Sequence, residues 1–419
     1  MRTLEKRRVR TRDELIEATR DAGVVDIVVD GRIHDVPTLP LLPGQRLCGG
    51  TDDAAIVFVE GIDGVLLSSD NAVRDLSVHV SPVYRAVFND TGVHDLGHIE
   101  LINVTATGQV QLLASDRVRA GHVEIHGLDV IAADVRDRPD RPKGFGVEVL
   151  QGAFTLWNMQ TDDTVIITAD VGGLSAGRVG APVLGGGIFV SGANADGGGR
   201  VDARRIETDA IYSDGKIEAG TADRITGGVF TSHGAHVEVV RNRGPVVTYG
   251  TNDMALDNWG VVDRWIAEEK ITTFGPSAIA FVNFGPINHL KIDAPIETFG
   301  TGARGFNVFA GTVTLAEFDR IVTHAGGAAG IQFDQPIGRL HVRRGIETFG
   351  GVGPTLVKGV IMQQPAIALS IKPGGSAQEI VVEGGIVTHA AGMLPVELQG
   401  AVQSLRVSGG FEAAGGGFG

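Results

Sequence analysis

Apolar residues recur at a fixed interval of 25 in the second half of the chain. Five related phrases, VVTYG, ITTFG, IETFG, IVTHA and IETFG, begin at Val246, Ile271, Ile296, Ile321 and Ile346. A period of this length, kept without slippage, predicts stacked units in which residues one period apart lie above one another. The 61 glycines and the 5% aromatic content suit short strands joined by tight turns. We therefore predict an all-β solenoid.

Each phrase has a threonine as its third residue, followed by an aromatic ring or a histidine. Threonine is β-branched and suits a strand, and stacked hydroxyl groups can hydrogen-bond along a ladder. Rings that are spaced by about 4.8 Å can stack with an offset. Both columns are predicted to be structural: Thr248, Thr273, Thr298, Thr323 and Thr348, and Tyr249, Phe274, Phe299, His324 and Phe349.

A second apolar column is predicted to face the core: Leu256, Phe281, Phe306, Ile331 and Leu356. Strand alternation then turns the next residue, and the residue two positions beyond it, outward. These outward positions hold the rings Trp259, Phe284 and Phe309, the polar residues Asp257, Asn307, Gln332 and Asp334, and the valines Val282 and Val357. Rings flanked by carboxylates and amides are typical of a sugar-binding surface. The alternatives are a subunit interface, as in a trimer, and rings that a bend turns inward.

The coil from 246 to 270 is the most polar and supplies candidates for acid–base chemistry. Cleavage of a glycosidic bond needs two carboxyl groups about 5 to 10 Å apart, one with a raised pKa and one ionised. Asp257 and Glu268 lie on adjacent predicted strands and are the predicted catalytic pair, if the turn between them is tight. The predicted substrate-binding residues are Trp259, Phe284, Asn307, Phe309, Gln332, Asp334 and Arg264. The alternative is a solvated acidic coil.

Trp265 lies close to these candidates but is predicted to be a core residue. Its column also contains Leu290, Leu315 and Leu340. Arg264 and Glu268 are predicted to face outward by the same alternation.

The N-terminal segment predicts a short amphipathic helix from Thr11 to Ala22. Thr11 can cap it, and Glu14 stands three residues on, as in a capping box. A predicted strand (24–29) and a Pro-Gly turn follow. From residue 12 to residue 50 the chain resembles the pectin-lyase-like superfamily of right-handed parallel β-helices, in which a helix caps the first coil. The resemblance implies this fold and little about chemistry, because the superfamily contains lyases, hydrolases, transferases, epimerases, tailspikes and adhesins.

The whole chain, 1–419, is predicted to form a single β-helix domain. Residues 1–50 would form the cap and first coil, 51–245 irregular coils, 246–370 the regular coils and 371–419 the C-terminal coils. The intervals from Ile206 to Val246 and from Ile346 to Ile386 are both 40, so about 15 extra residues enter each. These insertions are predicted to form loops or extra strands.

The formal charge is −14, from 36 basic and 50 acidic residues. This excess argues against nucleic acid or an anionic membrane as a partner and favours a neutral ligand. Cys48 is the only cysteine, which excludes an internal disulfide and a cysteine-rich zinc site. His122 and His126, like His94 and His98, are four residues apart, and on a strand that spacing is about 13 Å, too long for one metal ion. We expect no metal site and no cofactor.

The sequence favours a carbohydrate-active enzyme that acts on a neutral oligo- or polysaccharide, by hydrolysis or by intramolecular transfer of a glycosyl group such as fructosyl. A homotrimer is a possible assembly, and the location expected is cytoplasmic, because no secretory leader or long apolar run is present. The alternatives are a non-catalytic β-solenoid for binding or assembly and a polysaccharide lyase. The lyase is disfavoured because residues 136–141, Arg-Asp-Arg-Pro-Asp-Arg, lack the R-x-P-x-x-R register of pectate lyases.

Overall fold

A computed structural model describes residues 5–357 and 360–414. Strands in long parallel sheets dominate it, and its described part contains one helix, α1 (Arg12–Arg20). The prediction of an all-β chain with parallel strands is confirmed. No helix among these residues has the length and apolar character needed to span a membrane. The first four residues of the predicted cap and the last five of the predicted C-terminal coils lie outside the described residues.

The strands in the first half of the chain are β1 (Glu5–Val9), β2 (Val24–Val29), β3 (Arg32–Val36), β4 (Leu39–Pro40), β5 (Arg46–Gly49), β6 (Ala55–Phe58), β7 (Val65–Leu67), β8 (Ala72–His79), β9 (Arg85–Asn89), β10 (Asp95–Thr107), β11 (Gln109–Ala114), β12 (Ala120–Ala132), β13 (Lys143–Gly144), β14 (Val147–Val149), β15 (Gly152–Asn158), β16 (Ile166–Ala176), β17 (Val183–Leu184), β18 (Gly186–Ser191), β19 (Arg200–Asp214), β20 (Arg224–Thr231) and β21 (Ala235–Asn242).

The strands in the second half are β22 (Val246–Thr248), β23 (Asp253–Asn258), β24 (Val261–Ala267), β25 (Ile271–Thr273), β26 (Ile279–Asn283), β27 (Ile287–Ile292), β28 (Ile296–Thr298), β29 (Arg304–Val308), β30 (Val313–Phe318), β31 (Ile321–Thr323), β32 (Ala329–Phe333), β33 (Pro336–Val342), β34 (Ile346–Thr348), β35 (Val352–Val357), β36 (Val360–Pro365), β37 (Leu369–Ile371), β38 (Ser376–Val382), β39 (Ile386–Thr388), β40 (Val396–Leu398), β41 (Ala401–Val407) and β42 (Phe411–Ala413).

Helix α1 begins with the predicted capping box. The Glu14 backbone N–H donates to Thr11 Oγ1 at 3.3 Å, and the Thr11 backbone N–H donates to Glu14 Oε2 at 3.2 Å. Leu15 and Ala18 are fully buried, so the apolar stripe packs inward as predicted. The helix ends at Arg20, two residues before the predicted Ala22, because Asp21 already has an extended backbone.

The chain divides into two compact units. Unit 1 contains Met1–Asp137, Gln151–Thr208 and His233–His236, and unit 2 contains Arg138–Leu150, Asp209–Ser232 and Val237–Gly419. In unit 1 one parallel ladder runs through β1, β2, β5, β8, β10, β12 and β16, and another through β4, β7, β9, β11, β15 and β18. The prediction of a single domain stays a prediction.

Unit 2 repeats three short strands in every coil, and these form three parallel ladders. The first joins β22, β25, β28, β31, β34, β39 and β42, the second β23, β26, β29, β32, β37 and β40, and the third β24, β27, β30, β33, β38 and β41. Val246 pairs with Ile271, which pairs in turn with Ile296. Residues that lie 25 positions apart in the sequence therefore pair with one another in the ladders.

The third ladder contains Trp265 in the core, as predicted, with its side chain fully buried. The predicted position of Leu315 in the same column is wrong. Leu290 pairs with Ala316, and Ala316 with Leu340, so Ala316 occupies the core position. The cause is one extra residue in this coil, because Ile287 pairs with Val313, 26 positions later.

The insertion predicted between Ile346 and Ile386 forms an antiparallel hairpin, β35–β36. Leu356 therefore leaves the core column, and Leu369 takes its place beside Ile331. The other insertion was predicted between Ile206 and Val246. Its predicted start is wrong, because Ile211 rather than Ile206 pairs with Val246.

The predicted threonine and ring columns both form. Successive rings from Tyr249 to His389 stack with centroids 4.0–5.4 Å apart. The threonine hydroxyls, however, do not bond along the ladder. Thr323 and Thr348 donate to backbone carbonyls of their own coils, whereas three buried hydroxyls have no hydrogen-bond partner in the described part of the chain: those of Thr248, Thr273 and Thr298.

Candidate functional site

The polar column predicted to face outward lies on the β23–β26–β29–β32 ladder of unit 2. Its register pairs Asp257 with Val282, Val282 with Asn307, and Asn307 with Gln332. Alternation along these strands places it opposite the core column, as predicted. The column is nevertheless buried, with Asp257 0% and Asn307 1% exposed. The expectation of a solvent-accessible binding surface at these residues is wrong.

Two segments that lie outside the regular coils cover this column. One is the β13–β14 segment, whose Phe145 stacks on Phe284 with ring centroids 4.3 Å apart and meets Trp259 edge-on at 5.1 Å. The other is hairpin β35–β36, in which Thr355 Oγ1 donates to the carbonyl oxygen of Gly302 at 2.6 Å. The sequence indicated an insertion at the hairpin but not the surface on which it folds.

Further hydrogen bonds hold the hairpin to the ladder. Gln364 Nε2 donates to Gln332 Oε1 at 2.6 Å, and Arg304 Nη1 donates to the carbonyl oxygen of Leu356 at 3.1 Å. Arg304 is fully buried, and burial lowers its pKa to about 10. The guanidinium therefore stays charged at neutral pH, stabilised by oxygen acceptors and by the Phe309 ring at 5.6 Å.

The three predicted rings do form a continuous wall. The centroids of Trp259 and Phe284 are 5.7 Å apart, and those of Phe284 and Phe309 are 5.5 Å apart. Trp259 is 4% and Phe309 7% exposed, and Phe284 is half-buried. The wall faces the covering segments, so these rings are neither an open sugar platform nor a bare subunit interface.

A cavity of about 40 Å³ lies between the rings, the ladder and the covering segments. Its lining contains Phe145, Phe284 and Phe309, and only Asp257 and Ser277 contribute polar side chains to it. Pockets for organic ligands usually measure several hundred Å³. The cavity as it stands is therefore too small for a sugar unit.

Asp257 is the ionisable group of this cavity. Burial raises the pKa of its carboxyl group well above the usual value, and the Trp259 side chain only partly offsets this. Neither carboxyl oxygen has a hydrogen bond of standard geometry among the described residues. Burial therefore favours the protonated form of Asp257, which can donate a proton or a hydrogen bond.

Asn307 lies two strands from Asp257 on the same column and is not part of the cavity lining. Both polar atoms of its side chain, Nδ2 and Oδ1, are buried without a hydrogen-bond partner in the described part of the chain. A buried polar group without a partner costs about 1–3 kcal/mol. Such a group calls for an explanation, and a ligand or water that supplies the missing partner is one.

Glu268, the predicted second catalytic residue, does not line the cavity. It follows β24, in the ladder beside the one that holds Asp257, and its Oε1 accepts a hydrogen bond from Arg241 Nε at 2.7 Å. The predicted pair is not brought together, because the two strands belong to different ladders and Asp257 is covered. Arg264 is exposed on β24, and Asp334 is half-buried after β32; neither lines the cavity.

A second buried acid, Asp253, is not among the predicted catalytic residues. It accepts hydrogen bonds from the backbone N–H groups of Gly250 at 2.7 Å and Gly215 at 3.1 Å. Burial, with a smaller contribution from the charge of Asp214, raises its pKa to about 8. Asp214 itself is paired with Lys216 at 2.6 Å. A Cβ on Gly250 would lie 2.7 Å from an oxygen of each aspartate, so the two carboxyl groups are close neighbours.

These buried aspartates organise a turn rather than an open site, because Asp253 is 0% and Asp214 4% exposed. The side chains close enough to hold a metal ion, among the residues that the structure describes, are in unit 1: His98, His122 and Glu124.

No protein-family model, curated protein or solved structure matches the chain.

Proposed function

We propose that the chain is a carbohydrate-active protein with the right-handed parallel β-helix fold of the pectin-lyase-like superfamily, and that the covered pocket beside Asp257 takes a neutral sugar unit. The observation that carries the proposal is the combination of two buried side chains without standard hydrogen bonds with a wall of aromatic rings. Asp257 lines the cavity, and Asn307 lies on the same column outside the present lining. Sugar hydroxyls can satisfy such groups, and rings pack against the apolar faces of a sugar.

The fold part of the proposal rests on the three-strand coils of unit 2 and on the capped helix α1. Parallel ladders with a period of 25 residues need a chain that winds in one direction. Crossover connections between parallel strands are almost always right-handed. The N-terminal resemblance supports the same handedness.

Ligand entry requires a covering segment to move. The volume of a ligand pocket is usually several hundred Å³, whereas the volume of this cavity is about 40 Å³. Hairpin β35–β36 is the segment that we propose to open. It is inserted between β34 and β37, and those strands keep their own ladder partners, Ile346 with Ile386 and Leu369 with Ile331.

The raised pKa of Asp257 suits a general acid for cleavage or transfer at a glycosidic bond. The two-carboxyl mechanism also needs an ionised partner, and Asp257 is the one ionisable side chain in the cavity lining. This second observation favours the alternative of a non-catalytic β-solenoid that binds a saccharide in the same pocket.

The test combines binding and product formation on a panel of neutral oligosaccharides. We expect Asp257→Asn to abolish product formation and to leave binding nearly unchanged, because the amide keeps the shape but has no transferable proton. We expect Asn307→Ala to weaken binding about tenfold, the lower part of the range for a lost buried hydrogen bond. Calorimetry measures the affinity, and chromatography detects the products.

The matched control is Asp263→Asn, an exposed carboxylate in the same coil, which should retain both activities. Binding without any product in the unaltered chain would establish the non-catalytic alternative. A chain that binds no member of the panel, or an Asn307→Ala variant that binds as tightly, would contradict the proposal.

A further inference from the structure

A cluster of histidines and one glutamate lies in unit 1, on the ladder formed by β10, β12 and β16. In the register of β10 and β12, His98 pairs with His122 and Glu100 with Glu124. The alternating residues Ile99 and Val123 are fully buried. The polar residues therefore stand together on the opposite, solvent-facing side of the sheet.

The ligand atoms of three side chains converge on this face. One nitrogen each of His98 and His122 and one oxygen of Glu124 all lie within 4.8 Å of one another. His98 Nε2 is 2.9 Å from Glu124 Oε2. Two ligands bound to zinc at about 2.0–2.1 Å lie roughly 3.3 Å apart at a tetrahedral angle. Small side-chain movements would thus bring the three atoms to coordination distance.

Neighbouring groups hold two of the three ligands in the orientation that metal binding needs. His122 Nδ1 is 2.7 Å from Thr168 Oγ1, which leaves Nε2 as the nitrogen that can ligate. Arg205 Nη2 donates to His126 Nδ1 at 3.4 Å, so His126 carries its proton on Nε2 and donates it to Glu124 Oε1 at 3.0 Å. Glu124 Oε2 remains for the ion. Hydrogen bonds of this kind commonly orient metal-binding histidines and carboxylates.

The ordinary explanation of such a cluster is a set of surface hydrogen bonds. Unit 2 contains pairs of that kind, such as His289 with Glu317 at 2.6 Å and His341 with Glu383 at 3.0 Å. In those pairs one histidine meets one carboxylate. The cluster in unit 1 differs because the nitrogen of a second histidine, with its ring held by Thr168, also converges on the carboxylate.

We propose that His98, His122 and Glu124 form a binding site for a divalent transition-metal ion of the Zn²⁺ class. Two imidazoles and one carboxylate suit zinc and its neighbours in the transition series, whereas Ca²⁺ and Mg²⁺ prefer all-oxygen sites. Three protein ligands leave at least one coordination position open. The His98 side chain is 48% exposed, so that position is accessible to water or to an external ligand.

The test uses the full chain without a histidine tag, stripped of metal by a chelator. Calorimetry with Zn²⁺ should give one equivalent bound, and Co²⁺ should produce the visible absorption of a nitrogen- and oxygen-ligated ion. We expect His98→Ala and His122→Ala to lose this one-to-one binding. We expect Thr168→Ala to weaken it about tenfold, because it releases the ring of a ligand without removing it.

The matched control is His341→Ala, which removes the histidine of a single His–Glu pair and should bind Zn²⁺ like the unaltered chain. Because the altered side chains face solvent, circular dichroism should remain the same in all variants. Binding that survives in the double variant His98→Ala, His122→Ala, or that falls equally in His341→Ala, would overturn the proposal. So would the absence of any Zn²⁺ or Co²⁺ binding by the unaltered chain.

Discussion

At the position of Asp253 the next three coils carry Ala278, Ala303 and Ala328, and all four residues are buried. The coil of Asp253 thus buries a carboxyl group at the position where the next three coils bury a methyl group. Gly250 makes room for it, because a Cβ there would lie 2.7 Å from Asp253 Oδ2. Hydrogen bonds from two backbone N–H groups lower the pKa of Asp253, but burial outweighs them.

The raised pKa of Asp253 predicts a loss of stability at higher pH. The native chain binds a proton up to about pH 8, whereas the unfolded chain releases it near pH 4. The contribution to stability is fully present below the unfolded pKa and is lost as the pH rises through about 8, on the order of 5 kcal/mol in total. Asp253→Asn should therefore flatten the decline in unfolding free energy between pH 5 and pH 8.5, measured by urea denaturation.

The exposed Asp263→Asn variant is the control and should keep the decline of the unaltered chain. A slope in Asp253→Asn equal to that of the control would mean that Asp253 is ionised in the folded state.

Two threonines of the threonine column differ in the hydrogen bonding of their buried hydroxyl groups. The buried Thr298 hydroxyl has no hydrogen-bond partner among the described residues, whereas Thr323 donates to the carbonyl oxygen of Ala328 at 2.7 Å. Valine has nearly the same shape and no hydroxyl. Thr298→Val should raise the free energy of unfolding by about 1 kcal/mol, and Thr323→Val should lower it by about 1 kcal/mol.

Chemical denaturation of both variants under the same conditions measures the difference. Equal effects in the two variants would show that the hydroxyl environments are alike, contrary to the structure.

At the scale of elements, the regular strands form the scaffold and the inserted hairpin β35–β36 changes the surface. Without the hairpin, Gln332 would lie on the outward face that alternation predicts, whereas the β13–β14 segment would still cover Asp257. The hairpin ends close together, because the Ala366 backbone N–H donates to the carbonyl oxygen of Gly351 at 3.2 Å. The coil can therefore close without it.

Removal of residues 352–365, with one glycine joining Gly351 to Ala366, should leave the ladders intact and uncover Gln332 on the polar column. A thiol probe can report this in a Cys48→Ser background. Gln332→Cys, at a residue 6% exposed and bonded to Gln364, should react slowly with a thiol reagent in the full chain and rapidly after removal of the hairpin.

Ala316→Cys, at a core-facing position, should stay protected in both backgrounds. Rapid labelling of Gln332→Cys in the full chain would mean that the hairpin does not cover the column in solution. Labelling of both cysteines after the removal would mean that the coils need the hairpin to fold.

At the scale of the whole molecule, periodicity determined how much could be predicted. Unit 2 keeps an interval of 25 over most of its coils, so core positions such as Trp265 followed directly from counting. One extra residue was enough to exchange Leu315 for Ala316. Unit 1 has less regular intervals, and its strand partners were not predicted. The interval of 24 between His98 and His122, close to one coil, was the signal that could have placed them side by side.

The all-β class, the capped helix, the 25-residue register and the stacked ring column follow from the sequence alone, because each depends on local periodicity or on contacts within a few residues. Three features depend on the fold of the whole chain: two inserted segments cover Asp257 and Asn307, Glu268 lies on another ladder, and His98 and His122 converge on Glu124. Those outcomes depend on where an irregular segment folds back and on register across unequal loops. Alternation of polar and apolar residues specifies a face of a strand, but not what covers that face.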